Sequence, residues 1–165
     1  LALLDKGITL CDSHQSDSSV AAMTVTAYTY KASYLNYIGK HEEALKWFER
    51  TLDYCLLHND IINAIGVCRK IITLSILNST KEAAAILLRK ILPHLSALDE
   101  ESHKYTETFL VAAFIIFYDK NLTKNERKDL DGKMNKIHGE DWLSRATIKF
   151  QQIKNPKQLS IDEFS

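Results

Sequence analysis

A chain whose apolar, small and charged positions recur at a fixed interval builds the same supersecondary unit more than once, and no other feature constrains this sequence as strongly. Glu43-Ala44 recurs as Glu82-Ala83, 39 residues on, and at the same interval Lys31 falls on Lys70, Leu35 on Leu74 and Ile38 on Leu77. The correspondence continues into the following helix, with Phe48 on Leu87, Arg50 on Arg89 and Leu52 on Ile91. An upstream copy at an interval of 44 pairs Leu4 with Phe48, Ile8 with Leu52 and Cys11 with Cys55. A degenerate third copy runs from Phe109 to Ile137, with Glu126 where a small residue is wanted. Terminal repeats depart from the pattern because one of their faces caps the stack.

The unit is a pair of helices. Five Gly and two Pro in 165 residues are too few to punctuate many short strands. Ser79-Thr80-Lys81-Glu82 and Thr123-Lys124-Asn125-Glu126 both read as capping boxes, in which a hydroxyl and a carboxylate satisfy free N–H groups at a helix start. Gly39 supplies a turn that needs positive φ, and Asp60 is placed to N-cap the helix after it. The resulting map has helices over 1–14, 19–38, 41–58, 61–77, 80–96, 101–119, 124–137 and 141–153. Leu45, Phe48 and Leu52 make one apolar stripe, and Leu87, Leu88, Ile91 and Leu95 another. The expected fold is all-α, an α-α superhelix of seven or eight helices in antiparallel pairs over residues 1–153, followed by a tail at 154–165. Pro156 stops the last helix, so the tail reads as a flexible end, or alternatively as a groove occupant through Ile161 and Phe164.

Residues 28–60, around Gly39-Lys40-His41-Glu42-Glu43-Ala44-Leu45-Lys46-Trp47-Phe48, resemble a tetratricopeptide repeat, with Gly39 at the turn, Ala44 as the small contact residue, then Phe48, Thr51 and Leu52. Lys31 and Ala32 stand where Leu and Gly are usual, and the spacing exceeds the roughly 34 residues of that family. The longer spacing is similar to the extended repeats of kinesin light chains, Rap-type phosphatase regulators and the sensor regions of large bacterial transcription activators. The resemblance implies a superhelix that binds a protein or peptide in its concave groove. Carried over, the groove positions fall on Tyr30, Ser33, Asn36 and Tyr37, then Arg69, Ile72, Ser75 and Ile76, and finally Tyr118. Thr29 and Ser33 occupy the places where chaperone-tail binders carry Lys and Asn, which disfavours that activity.

The remaining signals exclude more than they add. With 21 basic and 21 acidic residues the net charge is zero, so no overall field draws the chain to nucleic acid or anionic lipid. The longest apolar run, Phe109 to Tyr118, is half a membrane span. Three Cys in helical patterns, without metal spacing, read as reduced thiols in a cytoplasmic protein. Phosphate loops, metal motifs and nucleophile elbows are missing from the sequence, so neither a cofactor, a metal nor a catalytic role is expected. The chain opens in mid-helix without Met, like a part of a longer regulator. The expected function is a protein-interaction scaffold. The alternative is a domain of a bacterial transcription regulator that senses a ligand or signalling peptide, for which a closed pocket around Tyr30, Tyr37 and Arg69 would be the sign.

Overall fold

The computed structural model describes residues 2–14, 20–78, 81–97 and 106–155. Among them lie eight α-helices and no strand. In order these are α1 (Ala2–Ser13), α2 (Ala21–Tyr37), α3 (His41–Leu57), α4 (Ile61–Asn78), α5 (Lys81–Arg89), α6 (Thr106–Phe117), α7 (Lys124–His138) and α8 (Trp142–Lys154). The Ser79 capping box, the first residues expected of α6 and the tail from Pro156 lie outside the described residues. The chain divides into two compact units, Leu1–Ile71 and Ile72–Ser165, with the boundary inside α4.

In the first unit the turn between α2 and α3 and the turn between α3 and α4 are built alike. Gly39, at φ +82°, ends α2; its N–H bonds the carbonyl of Asn36 at 3.1 Å and the next N–H, of Lys40, reaches back to Leu35 at 2.9 Å. This is a Schellman cap, which satisfies carbonyls that the helix end leaves open. Twenty residues later Asn59 does the same for α3 at φ +54°, with Asp60 N–H bonding Cys55 O at 2.8 Å. Asn tolerates the left-handed conformation better than any residue except Gly. Asp60 then caps α4, its Oδ1 accepting the Asn63 N–H at 3.2 Å.

The helix starts repeat at 40 residues: α4 begins at 61 against 21 for α2, and α5 at 81 against 41 for α3. Burial follows the same interval. Thr24, Val25, Tyr28, Ala32 and Leu35 are buried, and so are Ala64, Ile65, Cys68, Ile72 and Ser75; Ala44, Leu45, Phe48 and Thr51 are answered by Ala84, Ala85, Leu88 and Ile91. The interval of 39 read from the Glu-Ala pairs is therefore one residue short, since it matches buried Ala44 to exposed Ala83. The upstream interval of 44 is corrected likewise: Ile8 and Cys11, the buried pair of α1, sit 40 residues before Phe48 and Thr51.

In the second unit α5 is shorter than the sequence map has it. It ends at Arg89, and Leu92–Ala97 follow as a 3-10 segment. Pro93 is the cause, because it has no N–H for the ladder and disfavours helical backbone at the residue before it. Helix α6 is apolar all round and buried, with α8 packed along it: the rings of Phe114 and Phe150 lie 4.8 Å apart and those of Phe117 and Trp142 5.7 Å. Trp142 is fully buried and donates Nε1–H to Asp131 at 2.9 Å, so it seals the packing rather than presenting a surface. The Thr123 capping box is present as read, with both reciprocal bonds made.

Candidate partner-binding face

Helix α2 carries apolar residues on two opposite faces. One face, Val25, Tyr28, Ala32 and Leu35, is buried. The other carries Met23, Tyr30, Tyr34 and Tyr37, which are 63%, 65%, 40% and 88% exposed. Steps of seven, four and three residues put these four on one stripe of a helix. The only charge in α2 is Lys31, at the stripe's edge, where Asp5 neutralises it at 2.6 Å. The outward stripe is therefore long, aromatic and uncharged.

This face is held firmly from behind. The Tyr28 hydroxyl donates to Asp12 of α1, whose second oxygen accepts from Arg50 Nη2 of α3 at 2.8 Å. The Arg50 guanidinium in turn lies 4.4 Å from the Tyr28 ring centroid and 5.1 Å from that of Trp47. Tyr28 also meets Trp47 and Tyr54 edge-on, at 5.5 and 6.0 Å. At the far end of α2 the Asn36 side chain bonds the His41 ring at 2.8 Å. Helices α1 and α3 thus fix the orientation of α2, and a fixed helix loses little freedom when its tyrosines are covered.

The positions expected to form a groove fare differently from one another. Tyr30 and Tyr37 stand outward on the stripe, whereas Ser33 and Asn36 are half-buried at its flank. Arg69 is exposed on α4. Ile72, Ser75 and Ile76 instead lie in the interior, where the Ser75 hydroxyl bonds the Ile72 carbonyl at 2.8 Å; α4 is apolar on more than one face and buries them. Tyr118, in the second unit, is exposed beside Phe114 and Phe117. Sequence reasoning missed Met23 and Tyr34. Their spacing from Tyr30 and Tyr37 was legible, but α2 has tyrosines on both faces and nothing local says which are inward.

Elsewhere the titratable groups serve structure. Burial pushes the Cys55 and Cys68 thiols up to about 12, with Asp60 adding to the effect at Cys55 and Cys55 to that at Cys68. Hydrogen bonds from the Thr123 side chain and backbone hold Glu126 below the usual carboxylate range. Burial, aided by Arg145, lowers His138. Among the described residues no three His, Cys, Asp or Glu side chains are grouped to hold a metal ion. None of the described helices is long and apolar enough to cross a membrane. No protein-family model, curated protein or solved structure matches the chain.

Proposed function

We propose that this chain is a non-catalytic interaction module of the cytoplasm, a tetratricopeptide-like repeat scaffold that receives a peptide or helix of a partner protein on the outward face of α2. The observation that carries the reading is the uncharged stripe of Met23, Tyr30, Tyr34 and Tyr37 on a helix clamped by its neighbours. Tyrosine is enriched where proteins meet, because a rigid ring gives a large contact area at small entropic cost and its hydroxyl still finds a partner. A contiguous exposed apolar stripe of several hundred Å² is also unusual on a surface with no partner. The 40-residue period of burial supports stacked helix pairs, the architecture in which such faces line up. The outward exposure of Tyr30 and Tyr37, at 65% and 88%, favours an open docking face over the closed pocket that the ligand-sensing alternative calls for.

The test places a photo-crosslinking phenylalanine at Tyr34, and at Ile148 of α8 as an exposed apolar control. In extract of the source cells, the Tyr34 position should capture a discrete protein that the Ile148 position does not, and the double variant Tyr30→Lys, Tyr37→Lys should lose it. Equal capture from both positions, or capture that survives the double variant, would overturn the assignment.

A further inference from the structure

The second unit contains a groove of its own. It has a volume of about 850 Å³, within the roughly 300 to 1,000 Å³ of sites that hold small ligands. Ile116 of α6 and Leu130 and Met134 of α7 are buried in its floor, and Leu92, Pro93 and the 54% exposed Ile137 form its walls. From Glu126 to Lys136 the groove follows α7 for ten residues, about 15 Å. Five charged side chains line it, and four of them are already engaged. Arg89 bonds Asp119 at 2.7 Å, Lys133 and Asp129 bond each other at 2.7 Å, and Glu126 accepts from the Thr123 N–H and hydroxyl at 2.9 and 2.6 Å. The fifth, Lys136, is exposed at the far end of the groove, and its ammonium has neither an ion pair nor a hydrogen bond among the described residues.

We propose that this groove binds a monocarboxylate with a straight alkyl chain of about twelve carbons, its carboxylate on Lys136 and its chain over Met134, Leu130 and Ile116 toward Leu122. The length follows from the groove. An extended alkyl chain advances about 1.25 Å per carbon, from C–C bonds of about 1.5 Å at tetrahedral angles, so about twelve carbons cover the run along α7. The direction follows from charge. Glu126, at the Leu122 end, repels a carboxylate, whereas Lys136 offers an uncommitted cation at the other end. Lys133 offers a second, because its bridge to Asp129 is exposed on both sides and exchanges at little cost. The class follows from polarity. One free charge at the end of an apolar channel is matched by an amphiphile, whereas an extended peptide would find few partners there for its backbone N–H and C=O groups.

The experiment uses the full chain with dodecanoate, decanoate and dodecyltrimethylammonium, each below its micellar concentration, followed by calorimetry and by the methyl signals of Met134 and Ile137. Dodecanoate should bind one to one, shift both methyl signals, and hold about tenfold more tightly than the ammonium of equal chain length. Decanoate, two methylenes shorter, should bind about tenfold more weakly than dodecanoate. Lys136→Glu, at an exposed position, should melt like the parent, bind dodecanoate about tenfold less tightly and reverse the preference between the two head groups. Ile137→Asp should lose binding of both carboxylates, with an unchanged Met134 signal in the free protein showing that the fold is intact. Absence of saturable binding, equal affinity for the two head groups, or dodecanoate binding unmoved by Lys136→Glu would each overturn the assignment. So would shifts centred on the Tyr30 and Tyr37 rings while Met134 stays unmoved.

Discussion

Arg89 Nη2 donates to the wholly buried Asp119 carboxylate across 2.7 Å, tying the end of α5 to the turn that follows α6. The other oxygen of Asp119 accepts the backbone N–H of Asn121 at 3.0 Å, and Arg127 reaches the Asp119 carbonyl at 3.3 Å. The Nε atoms of Arg89 and Arg127 are buried without a hydrogen-bond partner, and the Asp119 carboxylate is the ion-pair partner of Arg89. Removing one member of a buried pair typically costs 3–5 kcal/mol; because Arg89 keeps about a third of its exposure, Asp119→Ala should cost about 3 kcal/mol in urea denaturation. Asp119→Asn keeps an acceptor for Asn121 and should lose less. An alanine variant as stable as the parent would show that the pair contributes nothing.

The 40-residue interval makes a prediction that the 39-residue one does not. Ala44 and Ala84 have no exposed surface, whereas Ala83 is exposed. Trp at either buried position overpacks the helix contact, at a cost of about 1 to 3 kcal/mol. Ala83→Trp should stay within about 0.5 kcal/mol of the parent. Melting of the three variants decides between the registers, and equal loss at 83 and 84 would reject the one described here.

Tyr30→Lys with Tyr37→Lys should leave stability within about 0.5 kcal/mol per site, since both rings are mostly in water and α2 is held by its opposite face. Thermal melting and circular dichroism check this. A large loss of stability would mean that the stripe already packs against something, contrary to the docking reading.

Cys55 and Cys68 should be silent toward a thiol reagent in native buffer at pH 8, since thiols pushed up to about 12 present almost no thiolate and are enclosed. In denaturant all three cysteines should react. Rapid labelling of Cys55 or Cys68 without denaturant, located by mass spectrometry, would contradict their complete burial.

His138 is lowered in the folded protein by burial and then by Arg145, so its charged form is disfavoured there relative to the unfolded chain. Below the unfolded value, near 6.5, the unfolded chain binds the proton more readily, and stability falls as pH drops from there through the folded value. The difference in stability between the parent and His138→Gln should therefore be flat above about pH 7.5 and change below about pH 6.5, in favour of Gln. A pH-independent difference would remove His138 as the source.

Much of the fold was written locally. The hydrophobic period of 3.6, Gly39 at its turn and Thr123 with Glu126 at a helix start depend only on near neighbours in the chain, and each is found where the residues place it. Pro93 was equally local and was overlooked because the apolar stripe runs through it to Leu95. The repeat register was harder: a matching Glu-Ala pair is a weaker anchor than the helix start, which decides which of two adjacent alanines turns inward.

The sequence by itself determined that the elements are helices and where several of them start and turn, because helix periodicity and capping are properties of a few consecutive residues. Only the tertiary structure decided which face of each helix is used. Tyr28 and Tyr30 are chemically alike and two residues apart, yet one is buried against Asp12, Arg50 and Trp47 and the other stands in water. Ile72, Ser75 and Ile76 were candidates for a groove until the interior claimed them. Inward and outward are set by which neighbouring helix offers a partner, and that choice is made across tens of residues, beyond the reach of local pattern.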